Sequence, residues 1–126
     1  MKFPTPLQDR TFEIPDDWWQ FCDMHAVVRV GQYYPYTERP GHIVEIVELT
    51  QIQPLTRAVG EKGFRKYKLI PVLMAFQDPT GLLPPIQIQC LADDHVYRFK
   101  LVNGFHRYYA SVAFGYSSIP AIVGSE

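Results

Sequence analysis

The segment Tyr97–Val123, YRFKLVNGFHRYYASVAFGYSSIPAIV, constrains the fold more than any other part of the chain. Tyr97, Phe99 and Leu101 alternate with Arg98 and Lys100, the period-two pattern of a half-buried strand over 97–102. Asn103-Gly104 ends that pattern. Phe105, Tyr108, Tyr109 and Val112 then recur at i, i+3, i+4 and i+7, which predicts a helix with one apolar stripe. Gly115 stands where a C-terminal cap belongs. Ile119-Pro120-Ala121-Ile122-Val123 is short and β-branched, and its proline suits a strand start or an edge.

A strand that runs through a glycine into a helix leaves backbone N–H groups unpaired at the helix start. Those donors and the helix dipole favour an anion. Gly104 has no Cβ, so the backbone can approach a ligand closely. Arg107 can grip phosphate oxygens in a two-pronged fork. His106 can donate a hydrogen bond or take part in acid–base chemistry, which makes it the candidate catalytic residue. The two side chains leave the helix about 100° apart, so both reach one ligand only near its first turn. Gly104, Phe105, His106 and Arg107 are therefore the candidate phosphate-binding residues. An arginine at a helix start also serves simply to pair with a carboxylate, and the spacing alone leaves both readings open.

The chain has 126 residues, the size of one domain, and hydrophobic residues make up 47% of it, enough for a core. Its two cysteines, Cys22 and Cys90, form no disulfide framework. The N-terminus lacks an apolar signal core and no window is long enough to span a bilayer, so a cytoplasmic protein is expected. The net charge of −1 hides an uneven distribution. Residues 57–68 carry Arg57, Lys62, Arg65, Lys66 and Lys68 against Glu61 alone, within an otherwise acidic chain. Such a segment meets phosphate or forms a solvated helix face. Arg57 and Lys62 are candidates for additional phosphate contacts, and Gly60 and Gly63 permit a phosphate-embracing loop.

Elsewhere the signals are weaker. Residues 1–14 read as an extended or poorly ordered arm. Pro15-Asp16-Asp17 starts a helix with an acidic cap, and Trp18, Phe21, Cys22 and His25 form its core stripe. Cys22 and His25 have no second ligand pair, so no metal is expected there. Val27–Val30 reads as a short strand and Gln32–Tyr36 as an aromatic loop that covers a core or an interface. Ile43–Ile52 reads as one strand with a bulge. Gly63–Phe76 has helical character, with Phe64 and Tyr67 on one face and a break expected near Leu69 because of Pro71. Residues 77–85 form a proline-rich loop, and 86–91 a strand. The Asp93-Asp94-His95 cluster reads as a hairpin turn or as a Mg²⁺ ligand set beside a nucleotide.

Gly104-Phe105-His106-Arg107-Tyr108, with Ala110 beyond it, resembles the central motif of the ParB/sulfiredoxin superfamily. Ile119-Pro120-Ala121 is similar to the strand that follows the motif in that family. Leu83-Pro84-Pro85-Ile86-Gln87-Ile88 resembles its Pro-Pro-Ile strand entry, and residues 46–55 its first strand. The blocks occur in the family's order and cover about residues 43 to 123. In sulfiredoxins the residue after the glycine is a nucleophilic cysteine. Phe105 stands there, which excludes that chemistry. ParB proteins carry a more arginine-rich turn, of which only Gly104, Arg107 and Ala110 match. Free serine kinases of this fold use a Gly-His-His-Arg type turn. The element common to these branches is a nucleotide phosphate held at the turn.

The resemblance implies an α+β fold, a single compact domain with a small mixed β-sheet flanked by helices. Residues 1–42 would be an N-terminal aromatic and proline-rich extension with one helix, and 43–126 the ParB/sulfiredoxin-like domain. It implies binding of a nucleoside triphosphate, ATP or CTP, with Mg²⁺, in an NTPase or a phosphotransferase. Two alternatives stay open. One is a nucleic-acid-associated module or ParB-like nuclease, supported by the basic segment and opposed by the acidic balance and the lack of a helix-turn-helix. The other is a non-catalytic interaction protein that self-associates through the aromatic N-terminal region.

Overall fold

The alternation after Tyr97 and the stripe after Gly104 do become a strand and a helix, and the rest of the molecule is assembled around that pair. The computed structural model describes residues 1–6, 11–54, 64–92 and 96–124. Its elements are β1 (Lys2–Pro4), β2 (Thr11–Glu13), α1 (Asp16–Phe21), β3 (Glu45–Glu48), β4 (Ile52–Gln53), α2 (Lys66–Gln77), β5 (Ile86–Cys90), β6 (Phe99–Asn103), α3 (Phe105–Phe114) and β7 (Ser118–Gly124). Short 3₁₀ turns lie at Met24–Ala26 and Leu49–Gln51. The fold is α+β, and no described helix is long and apolar enough to cross a membrane.

Five strands form a mixed sheet in the order β3-β7-β5-β6-β4. β5 runs antiparallel to β6 and parallel to β7, β3 is antiparallel to β7, and β4 is parallel to β6. β5, in the middle, buries Ile86 and Ile88 completely, as β7 does Ile119 and Ala121. α2 contributes Leu69 and Leu73 to the same core, and α3 contributes Tyr108 and Tyr109. Each such large apolar side chain stabilises the fold by about 1.5–3 kcal/mol relative to exposure. α2 and α3 pack on one another.

The N-terminal segment is built differently from the sequence expectation. The described parts of the first fourteen residues are extended but not a poorly ordered arm: β1 pairs antiparallel with β2, setting Phe3 opposite Phe12. Phe12 packs edge-on against Tyr109 of α3, with ring centroids 4.8 Å apart. Phe12, Ile14, Trp19 and Tyr34 thus belong to the same buried cluster as the sheet. α1 has only six residues, and Pro15 stands at its N-cap with no side-chain cap, in place of the expected acidic one. Asp23, in the left-handed region at φ 55°, ends that turn. The inward residues are consequently Trp19, Cys22 and Met24, whereas Phe21 and His25 are exposed. Val27–Val30 forms no strand, and Val28 and Val30 face solvent.

Two further expectations are corrected. The run 43–52 is not one bulged strand. A 3₁₀ turn at Leu49–Gln51 splits it into β3 and β4, which lie on opposite edges of the sheet. α2 is continuous through Pro71. The proline removes only the donor that would reach the Tyr67 carbonyl, and both residues are exposed, where water can replace it. Tyr67 therefore does not share an inward face with Phe64, which precedes the helix and joins the aromatic cluster around Phe105 and Tyr109.

Candidate functional site

β6 delivers the chain to Gly104, which adopts φ +110° and caps the N-terminus of α3. Two physical reasons require glycine there. The left-handed conformation is costly for any residue with a Cβ. A Cβ would also lie 2.5 Å from Ile86 Cγ2, inside the packed centre of β5. Tyr108 N–H closes the first helical bond onto the Gly104 carbonyl at 2.8 Å.

The next three residues diverge. Phe105 is buried and packs against Phe64 and Tyr109 at ring-centroid distances of 5.5 and 5.1 Å. It contributes packing and its backbone to the turn, and its side chain points into the core. His106 is half-buried, and its Nε2 accepts a hydrogen bond of 3.1 Å from the Arg65 N–H at the start of α2. A neutral His106 therefore carries its proton on Nδ1. Arg107 is held by carbonyls: its Nη1 donates to Pro84 O and to Pro85 O, each at 2.8 Å. Tyr34, fully buried, donates its hydroxyl to the same Pro84 O at 2.8 Å. Burial pushes the Arg107 pKa below the usual guanidinium range, and the neighbouring Tyr34 phenol opposes that shift. Burial raises the Tyr34 pKa, with Arg107 working against it. No carboxylate pairs with Arg107 among the described residues, so its charge is oriented rather than neutralised.

Gly104, Phe105, His106 and Arg107 together line a cleft of about 310 Å³. Lys68 and Val72 of α2 line it as well, and Leu83, Pro84, Val102 and Asn103 complete it. The structure thus brings the four predicted residues to one place and adds Lys68. The sequence marked the basic segment that contains Lys68, but α2's true register was needed to single that residue out. Arg57, Lys62, Gly60 and Gly63 fall outside the described residues, as do Asp93, Asp94 and His95. Among the described residues no group of His, Cys, Asp and Glu could hold a metal ion. Cys22 is buried, with its Sγ against the Ile70 carbonyl, and burial raises its pKa.

The chemistry of this donor set fits an anion. Two cationic residues and the N-terminus of a ten-residue helix line the cleft, and no carboxylate lines it among the described residues. A Mg²⁺ ion accompanying a nucleotide would then be held by phosphates and water rather than by this lining.

Compared with solved structures, the chain is similar to the C-terminally truncated chromosome-partitioning protein ParB from Caulobacter crescentus, complexed with CTP-gamma-S. That likeness has a TM-score of 0.50 at 19% identity and covers 66% of this chain. It spans 44% of the ParB chain, less than half its length. The chain is also similar to sulfiredoxin from Arabidopsis thaliana, with a TM-score of 0.51 at 18% identity, over 67% of this chain and 86% of that one. No protein-family model and no curated protein matches the chain. The fold is ParB/sulfiredoxin-like.

Proposed function

We propose that the cleft at the start of α3 binds the phosphates of a nucleotide, CTP or ATP. The observation that carries this reading is the presence of Lys68, Arg107 and a helix N-terminus in the lining of one cleft, with no acidic residue among the described lining. Like charges gathered at the positive end of a helix are unfavourable without an anion. The ParB of similar fold is complexed with CTP-gamma-S, which supports the choice of ligand class.

In this reading the N-terminal amides of α3 and the Arg107 guanidinium hold phosphate oxygens. Lys68 supplies a mobile point charge from α2. His106 lines the same cleft as Arg107 and is the candidate for proton transfer in an NTPase or phosphotransferase. Phe105 offers no nucleophile, so any transfer proceeds directly to water or an acceptor, with no covalent intermediate at that position. Mg²⁺ bound with the nucleotide screens the phosphate charge.

A second reading, a nucleic-acid-associated module, is supported by the exposed Arg65, Lys66 and Lys68 at the start of α2. The two differ in salt response, because contact with many phosphates makes affinity fall steeply with ionic strength.

A thermal-shift and calorimetry series with CTP, ATP and GTP, with and without Mg²⁺, tests the proposal. A ligand at 100 times its Kd adds about 2.7 kcal/mol of stability, which raises Tm by roughly 10 °C in a domain of this size. Flat melting curves with all three nucleotides would sink the nucleotide reading.

A further inference from the structure

We infer that Tyr34, which lies in the N-terminal segment, is a positioning residue for the Arg107 guanidinium in the α3 cleft. The inference rests on the phosphate-binding reading above.

Tyr34 is 0% exposed, and its ring stacks on Phe76 with centroids 6.0 Å apart. Its hydroxyl and Arg107 Nη1 both donate to Pro84 O, at 2.8 Å each, and Nη1 also donates to Pro85 O at 2.8 Å. A peptide carbonyl has two lone pairs, so Tyr34 and Arg107 together saturate Pro84 O. Both carbonyls belong to prolines, whose fixed φ stiffens the backbone that presents them. The next residue, Ile86, is fully buried at the start of β5, which anchors that backbone to the sheet.

The two Nη1 hydrogens are thus committed to carbonyls, which leaves Nη2 and Nε for a ligand. Nη2 lies on the side of the helix-capping turn, 3.3 Å from where a Cβ on Gly104 would sit. An arginine free to sample its rotamers loses that freedom on binding an anion. Here the cost is met on folding, because Tyr34 lies against the guanidinium and also holds the carbonyl that holds it. Phenylalanine at position 34 would fill the same space and stack on Phe76 but could not fix Pro84 O. The hydroxyl therefore acts on the cleft through Arg107, without touching the ligand.

The test is Tyr34→Phe in the full chain, with two readouts: the side-chain ¹⁵N–¹H NMR signals of Arg107, assigned by their loss in Arg107→Lys, and calorimetric affinity for inorganic tripolyphosphate. In the unsubstituted protein the Arg107 Nη signals are expected to be separate, as hindered rotation requires. In Tyr34→Phe they should shift and merge, and tripolyphosphate affinity should fall roughly threefold to tenfold. Lys68→Ala should weaken binding with the Arg107 signals unchanged. Unaltered Arg107 signals in Tyr34→Phe overturn the inference whatever the affinity does, and so does altered signal with full affinity. No tripolyphosphate affinity in the unsubstituted protein overturns the phosphate reading itself, and the inference with it. If Tyr34→Phe loses its cooperative melt, Arg107→Lys decides: full affinity in that charge-preserving variant shows that no oriented fork is needed and overturns the inference.

Discussion

Each end of helix α3 meets a left-handed glycine and an arginine, and the two ends are built for different purposes. At the C-terminus Gly115 has φ +92°, and Arg29 donates its Nη1 to the Gly115 carbonyl. A cation at the negative end of a helix dipole stabilises it by about 0.3–1 kcal/mol, so Arg29 is accounted for by the fold. At the N-terminus Arg107 faces the positive end, where the same dipole opposes it. Two proline carbonyls and Tyr34 hold it there. The neighbouring spaces differ in the same sense. A groove of about 520 Å³ flanks the C-terminal end, lined by Val27, Phe76, Phe114 and Tyr116, and its only charges among the described lining residues are Asp23 and Asp78. The smaller N-terminal cleft holds Lys68 and Arg107. Charge, rather than volume, distinguishes the end suited to an anion.

The two glycines give the largest contrast. Gly104→Ala would force a Cβ to 2.5 Å from Ile86 Cγ2 at φ +110°, in a core that cannot yield. Strain and overpacking together should cost about 3 kcal/mol. In Gly115→Ala the Cβ would meet only Arg29 Nη1, at 2.6 Å, the far end of a flexible chain. That loss should be about 1–2 kcal/mol, essentially the left-handed penalty. Urea unfolding of both variants measures the difference, and equal losses would erase it.

The two arginines come next. Arg107→Ala should weaken CTP or tripolyphosphate binding by roughly 10- to 100-fold, the loss of a charged hydrogen-bonding group. Arg29→Ala should leave binding unchanged and lower stability by about 0.5 kcal/mol. Calorimetry on the pair decides: if Arg29→Ala weakens binding as much as Arg107→Ala does, the two ends are not functionally distinct.

Alkaline pH probes the buried phenol behind Arg107. Burial raises the pKa of Tyr34, and of Tyr108, above the usual phenol range. Both stay protonated in the folded protein while the unfolded chain ionises from about pH 10 upward. The folded state then binds more protons, so the contribution of each tyrosine to stability is constant below pH 10 and falls above it, by up to about 1.4 kcal/mol per pH unit. Tyr34→Phe should remove one of these contributions, shown by a shallower decline in denaturation midpoint above pH 10. An unchanged decline would mean that Tyr34 ionises as readily folded as unfolded.

Lys68→Ala should have the smallest effect. The side chain is exposed, and its ammonium lies 5.9 Å from the Tyr67 ring centre. Nucleotide affinity should fall only about threefold, and more at low salt than at high, because solvent screens an exposed charge. A loss larger than that of Arg107→Ala would reverse the roles of the two residues.

The strand–glycine–helix–strand unit from β6 to β7 was legible because its interactions are local. A period of two, a period of 3.6 and two left-handed glycines write themselves directly into consecutive residues. The run 43–52 was misread for the opposite reason. Its apolar residues suit a strand, but whether one strand or two depends on which edge of the sheet each half meets, and β3 and β4 meet opposite edges. The stripe read on α1 holds at Trp18 and Cys22 but not at Phe21 and His25, because the helix stops after six residues and Trp19 and Met24 turn inward. Pro71 signalled a break that did not form because it occupies the exposed face of α2.

At the candidate site the sequence alone supplied Gly104, Phe105, His106 and Arg107, consecutive residues whose placement follows from one turn. It determined the local geometry of that turn and the sign of the charge beside it. Only the tertiary structure decided that Lys68 lines the same cleft, and that Tyr34 and two proline carbonyls hold Arg107. Those partners lie between 22 and 50 residues apart along the chain, where the relevant bonds run. A contact of that separation exists only after the sheet has folded, so no local pattern of residues can encode it.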